Sequence, residues 1–163
     1  MKVQQHDGSI IEMEKTSAEA LEVLNHSTSH LLAQAITELY PKALFGFGPA
    51  IENGFYYDID FGDITITEND LPIIEKKMRE LAGKDFRIER QLVSKKEALE
   101  IFKNNPYKIE LIEGINEDIT TFKQGDFVDL CRGPHIMSTG LIKHFKLLSL
   151  AGAYWRGDSK NKQ

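Results

Sequence analysis

The chain has 163 residues, 41% of them hydrophobic, enough for one well-packed domain and too few for a second of comparable size. A net charge of -5 argues against generic nucleic-acid binding, and no stretch approaches the roughly 20 consecutive apolar residues of a membrane span or the apolar core of a signal peptide, so a cytoplasmic protein is expected. Cys131 is the single cysteine, which excludes an intrachain disulfide and leaves one thiol for other chemistry.

Residues Ser9 to Lys15 partly alternate apolar and polar side chains, the pattern of a short edge strand. Thr16, with Glu19 three residues later, reads as a capping box for a long amphipathic helix from about Ser17 to Tyr40. Its apolar positions include Leu24, Leu31, Leu32, Ala35 and Ile36, and Pro41 prevents further winding. The glycine-punctuated stretch FGFGPAIENGFYYDIDF follows, and its Asn53-Gly54 pair reads as a hairpin turn leading into a strand. Helical patterns recur at Glu68 to Ala82, closed by Gly83, and at Lys95 to Lys103, opened by a Ser94/Glu97 capping box. Strand-like runs are FRIERQL, YKIELI, ITTFK, DFVDLC and FKLLSLAGAYW. Together these predict an α+β domain with an antiparallel sheet, a long amphipathic helix and additional helices.

Charge is unevenly spread. Residues 1 to 120 carry 13 basic and 22 acidic side chains, whereas residues 121 to 163 carry 7 basic and 3 acidic. An approaching RNA would therefore meet the last third, although such an excess is also ordinary on a solvated surface.

His26 and His30 are four apart in the long helix, so both imidazoles project from one face. A zinc-protease pattern would need Glu directly after the first histidine, and Ser27 stands there. In DLCRGPH, strand alternation points Asp129 and Cys131 the same way, and the Gly133-Pro134 turn can fold His135 back toward them. One thiol and three imidazoles suffice for a tetrahedral zinc site. The same residues also suit a Cys-His nucleophile, or a metal-free polar pocket that holds a water or a substrate amine.

The segments HSTSHLLAQAI, GPAIENGFYYD, YKIEL, DLCRGPH and LSLAGAYWRGDSKNK resemble, in order, motifs of the editing domain that precedes the catalytic core in bacterial threonyl-tRNA synthetases. Editing domains of alanyl-tRNA synthetases share the HxxxH and CxxxH frame. The resemblance covers residues 16 to 163, with residues 1 to 15 similar to the closing strand of a preceding ubiquitin-like domain. It implies a fragment of a longer, homodimeric synthetase, whose ATP site and catalytic zinc lie in a catalytic domain absent here.

Carried onto this sequence, the resemblance implies an editing pocket of His26, His30, Tyr57, Lys108, Asp129, Cys131 and His135. Tyr57 and Lys108 are selected by the resemblance alone. It implies hydrolysis of serine from mischarged threonine tRNA by water attack. His26 would orient or deprotonate the water, Lys108 would meet the oxyanion or a ribose oxygen, and Asp129 would meet the substrate ammonium. Zinc held by His26, His30, Cys131 and His135 is expected to be adventitious. A non-catalytic tRNA-binding module and an independent zinc hydrolase of small esters are the competing readings.

Overall fold

The computed structural model describes residues 1–163. Its strands are β1 (Lys2–Gln4), β2 (Ile10–Glu12), β3 (Leu44–Phe45), β4 (Ala50–Ile51), β5 (Gly54–Phe55), β6 (Ile59–Asp60), β7 (Glu89–Val93), β8 (Ile119–Gln124), β9 (Phe127–Leu130) and β10 (His135–Ile136). The helices are α1 (Ala18–Leu39), α2 (Leu71–Gly83), α3 (Lys95–Ile101) and α4 (Pro106–Glu113). Every strand pair is antiparallel, in four small sheets ordered β10-β1-β2, β3-β6, β4-β5 and β7-β8-β9. This is the α+β class that the sequence predicts.

Helix α1 runs through the middle and buries residues on most of its circumference over Ser27 to Ile36. The cap is Ser17, whose hydroxyl accepts from the Ala20 N–H at 3.1 Å, one position beyond the expected Thr16. Leu31, Ala35 and Ile36 join Ile74, Met78 and Leu81 of α2, Phe122 of β8 and Ile136 of β10 in a core of 17 buried residues. Removing any one of the larger side chains costs about 2 to 5 kcal/mol, because the cavity left behind relaxes only partly. A smaller cluster of Val93, Ala98, Phe102, Ile112 and Ile119 packs α3 and α4 beside β8. The Ser94/Glu97 capping box of α3 forms as expected, with both reciprocal hydrogen bonds present.

Three local expectations fail for identifiable reasons. YKIELI is helix α4, not a strand: the Asn105 side chain accepts from the N–H groups of Tyr107 and Lys108, and Pro106 occupies the first turn. Its fixed φ and missing N–H suit that position, and the i, i+4 pair Lys108 and Ile112 then shares the buried face. FKLLSLAGAYW forms no strand, and Leu148 is 82% exposed. That run is held by Glu75 on α2, which accepts from the Leu147 N–H at 2.6 Å. In the β4-β5 hairpin Ile51 pairs with Gly54, so the turn falls on Glu52 and Asn53 rather than on Asn53-Gly54.

Residues 1 to 15 supply β1 and β2, and β1 pairs with β10 in the register Val3 to Ile136 and Gln4 to His135. Val3 is fully buried in the main core, and Gln4 Nε2 donates to the Ile88 and Ile136 carbonyls. No helix is long and apolar enough to cross a membrane.

Candidate active site

Three pieces of chain meet beside the middle of α1: the β3 to β6 hairpin, helix α4, and the segment from β9 to β10. They enclose a cavity of about 530 Å³ whose lining includes His26, His30, Tyr57, Lys108, Asp129 and Cys131. A cavity of about 590 Å³ between β1 and β7, with Arg87, Arg90 and Lys123 in its wall, has no histidine or cysteine.

The helical spacing stacks His26 and His30 with ring centroids 4.9 Å apart. Strand alternation in β9 turns Phe127 and Asp129 inward, and Cys131 follows on the same side. Gly133, with φ +78, then reverses the chain in a conformation that a side chain would resist, and its N–H donates to Cys131 Sγ at 3.0 Å. His135 thereby returns beneath the thiol. Its Nε2 is 3.1 Å from Cys131 Sγ, and His26 Nε2 lies 3.0 Å from the same sulfur.

His135 is fully buried and does not face the cavity. Its Nδ1 is held at 3.0 Å by the Ser27 hydroxyl, which also accepts from the Ile136 N–H at 3.3 Å. His30 is buried too, and only His26 of the three keeps partial exposure.

Burial lowers the pKa of all three imidazoles and is the main reason that those of His30 and His135 fall well below the ordinary value, with the neighbouring histidines adding to the shift. All are therefore neutral near pH 7. The Cys131 thiol is pushed up, chiefly by burial, and stays protonated despite the Gly133 N–H. That disfavours a resting thiolate nucleophile.

The second half of the site is a buried ion pair. Lys108 Nζ lies 2.9 Å from Asp129 Oδ1 and donates to the Gly46 carbonyl at 2.8 Å and the Tyr57 hydroxyl at 3.0 Å. Tyr57 donates to Asp129 Oδ2 at 2.5 Å, and the Leu130 N–H donates to Oδ1 at 2.8 Å. Burial and the Asp129 charge push the Tyr57 phenol well up, so it remains a donor. His30 Nε2 is 3.6 Å from Asp129 Oδ2, beyond hydrogen-bond reach, and as a neutral ring it forms no ion pair. The Asp129 carboxylate is thus already engaged by Lys108, Tyr57 and backbone.

All seven residues singled out in the sequence come together here, six of them on the cavity and His135 behind it. Sequence reading missed their supports. Ser27 holds His135, and Ser29 Oγ donates to the carbonyls of His26 and Gly48, tying the hairpin to α1. A Cβ at Gly48 would fall 2.3 Å from Tyr57 Cδ2, so only glycine lets that ring lie against the backbone.

The donor atoms of His26, His30, Cys131 and His135 all lie within 4.8 Å of one another, and their chemistry fits a four-coordinate zinc ion. The two contacts at the sulfur, 3.0 and 3.1 Å, are hydrogen-bond distances.

Residues 119–163 match the family described as the threonyl and alanyl tRNA synthetase second additional domain. Over 160 residues the chain is 56% identical to a threonine-tRNA ligase of Acholeplasma laidlawii, covering 98% of this chain and 25% of that protein. A Staphylococcus carnosus threonine-tRNA ligase is also 56% identical, over 97% of this chain and 25% of the relative. A third, from Staphylococcus aureus strain bovine RF122 / ET3-1, matches at 56% over 96% of this chain and 24% of its own length. The chain thus spans about a quarter of the length of these relatives.

Proposed function

We propose that this chain, similar over residues 119–163 to the threonyl and alanyl tRNA synthetase second additional domain and over nearly its whole length to threonine-tRNA ligases, carries a cavity that hydrolyses serine from mischarged threonine tRNA. The observation that carries this reading is the pairing, on one cavity, of a neutral, partly exposed imidazole with a buried ammonium. Ester hydrolysis needs a group that takes a proton from water and a positive group that meets the oxyanion.

In the proposed reaction a water held at His26 attacks the ester carbonyl carbon, and its proton passes to the imidazole. The developing oxyanion turns toward Lys108, taking the place of the Tyr57 hydroxyl as acceptor. Collapse breaks the bond from carbonyl carbon to ribose oxygen, and the proton moves from His26 to the leaving ribose oxygen. Serine and free tRNA result.

In this reading Asp129 takes a different part from the ammonium receptor expected from sequence: Lys108, Tyr57 and the Leu130 N–H engage its oxygens, and it fixes the lysine and the phenol. Cys131 and His135 hold His26 through the hydrogen bonds at the sulfur. Zinc bound by His26, His30, Cys131 and His135 would supply a Lewis acid; the steps above need only the side chains.

Such a site answers a physical limit. Serine lacks only one methyl group of threonine, and one methyl gives about 1 to 3 kcal/mol of discrimination, roughly 10- to 200-fold. A second pocket that accepts the smaller residue and excludes the larger supplies the remainder. The test is incubation of the chain with seryl-tRNA. Release of serine supports the proposal, binding without release points to an RNA-binding module, and cleavage of small esters regardless of RNA points to a general esterase.

A further inference from the structure

The C-terminal loop has no part in the reaction just described, yet it closes on itself and on the back of the site. The Trp155 N–H donates to the Lys162 carbonyl at 3.0 Å, and Asn161 Nδ2 donates to the Trp155 carbonyl at 2.8 Å. Two elements receive this loop. On α4, Trp155 Nε1 donates to the Glu110 carboxylate, and its ring meets Tyr107 edge-on with centroids 5.0 Å apart. On the β3-β6 hairpin, Lys162 Nζ lies 2.9 Å from Asp60 Oδ2, the oxygen that also accepts from Tyr107 at 2.6 Å.

Trp155 also lies against Gly46. A Cβ there would fall 2.5 Å from Trp155 Cζ3, while the nearest backbone atom, the Asp58 carbonyl oxygen, would be 3.4 Å away. Gly46 is the residue whose carbonyl accepts from Lys108. Lys108 itself follows Tyr107 on α4. The loop therefore bridges the element that carries the ammonium and the element that seats it.

We propose that Trp155 is a latch and a positioning residue: docked between α4 and Gly46, it holds Lys108 where the oxyanion forms. The inference deepens the hydrolytic reading and rests on it for its kinetic consequence. With the latch undocked, α4 and the hairpin keep the Tyr107 to Asp60 bond but lose the indole packed between them, and the Nζ position relaxes relative to the substrate carbonyl. A misplacement of about 1 Å in a catalytic group costs on the order of 100-fold. Trp155→Ala should then lower kcat by about 10- to 100-fold with KM little changed, and Trp155→Phe, which keeps the ring on Gly46, should restore most of the loss.

Trp155 is the only tryptophan in the chain, so its fluorescence reads the latch directly. Gly46→Ala should expel the indole, shifting its emission to the red and opening it to acrylamide quenching. Reductive methylation followed by mass spectrometry reads Lys108, which is buried in the wild type; its labelling should rise in both Trp155→Ala and Gly46→Ala. Because both substitutions act on one contact, the double variant should be no slower than Trp155→Ala alone. Unshifted emission in Gly46→Ala, unchanged Lys108 labelling in Trp155→Ala, or fully additive losses would each overturn the latch. A wild type that releases no serine would instead remove the hydrolytic reading, while emission and labelling would still decide the latch.

Discussion

Lys108→Met tests the buried ion pair. The substitution keeps most of the stem and removes the ammonium, which makes three close contacts: Asp129 Oδ1 at 2.9 Å, the Gly46 carbonyl at 2.8 Å and the Tyr57 hydroxyl at 3.0 Å. Asp129 is then a buried carboxylate whose remaining donors are the Tyr57 hydroxyl and the Leu130 N–H. Leaving one charge of a buried pair uncompensated costs about 3 to 5 kcal/mol. In a domain of this size that lowers the melting temperature by about 6 to 20 °C. Lys108→Met with Asp129→Asn leaves no unpaired charge, and thermal and urea unfolding should recover much of the loss. The double variant should be inactive but folded. If its destabilisation equals the sum of the two single ones, or if Lys108→Met alone leaves the melting temperature unchanged, the pair is not the buried, mutually dependent unit described above.

The three depressed imidazoles set a pH dependence. Unfolded histidines take up protons near pH 6.5 while the folded ones stay neutral to lower pH, so stability present above about pH 6.5 is lost as pH falls from there through the folded values. The urea midpoint should fall between about pH 7.5 and pH 5 by more in the wild type than in a variant with His135 replaced by Phe. Ser27→Ala leaves the Ile136 N–H and His135 Nδ1 without partners in a fully buried place, and should cost about 1 to 3 kcal/mol in urea unfolding. Thorough chelation should leave seryl-ester hydrolysis nearly intact; tightly held stoichiometric zinc whose removal abolishes the rate would overturn the side-chain mechanism.

Much of the site was legible because its residues obey local periods. The four-residue step from His26 to His30 is a helical turn, and Asp129 and Cys131 share a face through strand alternation. The α4 segment reads as a strand because Tyr-Lys-Ile-Glu-Leu alternates as a strand does, while the Asn105 cap and Pro106 decide for helix. Ser27 and Ser29 could not be singled out. Their partners His135 and Gly48 are 108 and 19 residues away, and a serine on a helix carries no sign of a distant acceptor. The partners of Asp129 were likewise set by tertiary packing, which brings Lys108 from α4 and Tyr57 from the hairpin to one carboxylate.

The central claim is a pocket that hydrolyses the smaller ester and spares the larger. Its most direct measurement compares rates of deacylation for seryl and threonyl esters on the same threonine tRNA, with His26→Ala and Cys131→Ala alongside. An extra methyl forced into a packed wall typically costs about 1 to 3 kcal/mol, and displacement of the attacking water adds to that, so the seryl ester should be strongly preferred. Both variants should lose seryl hydrolysis while keeping a wild-type circular dichroism spectrum. Equal rates on the two esters, or full activity in both variants, would contradict the account.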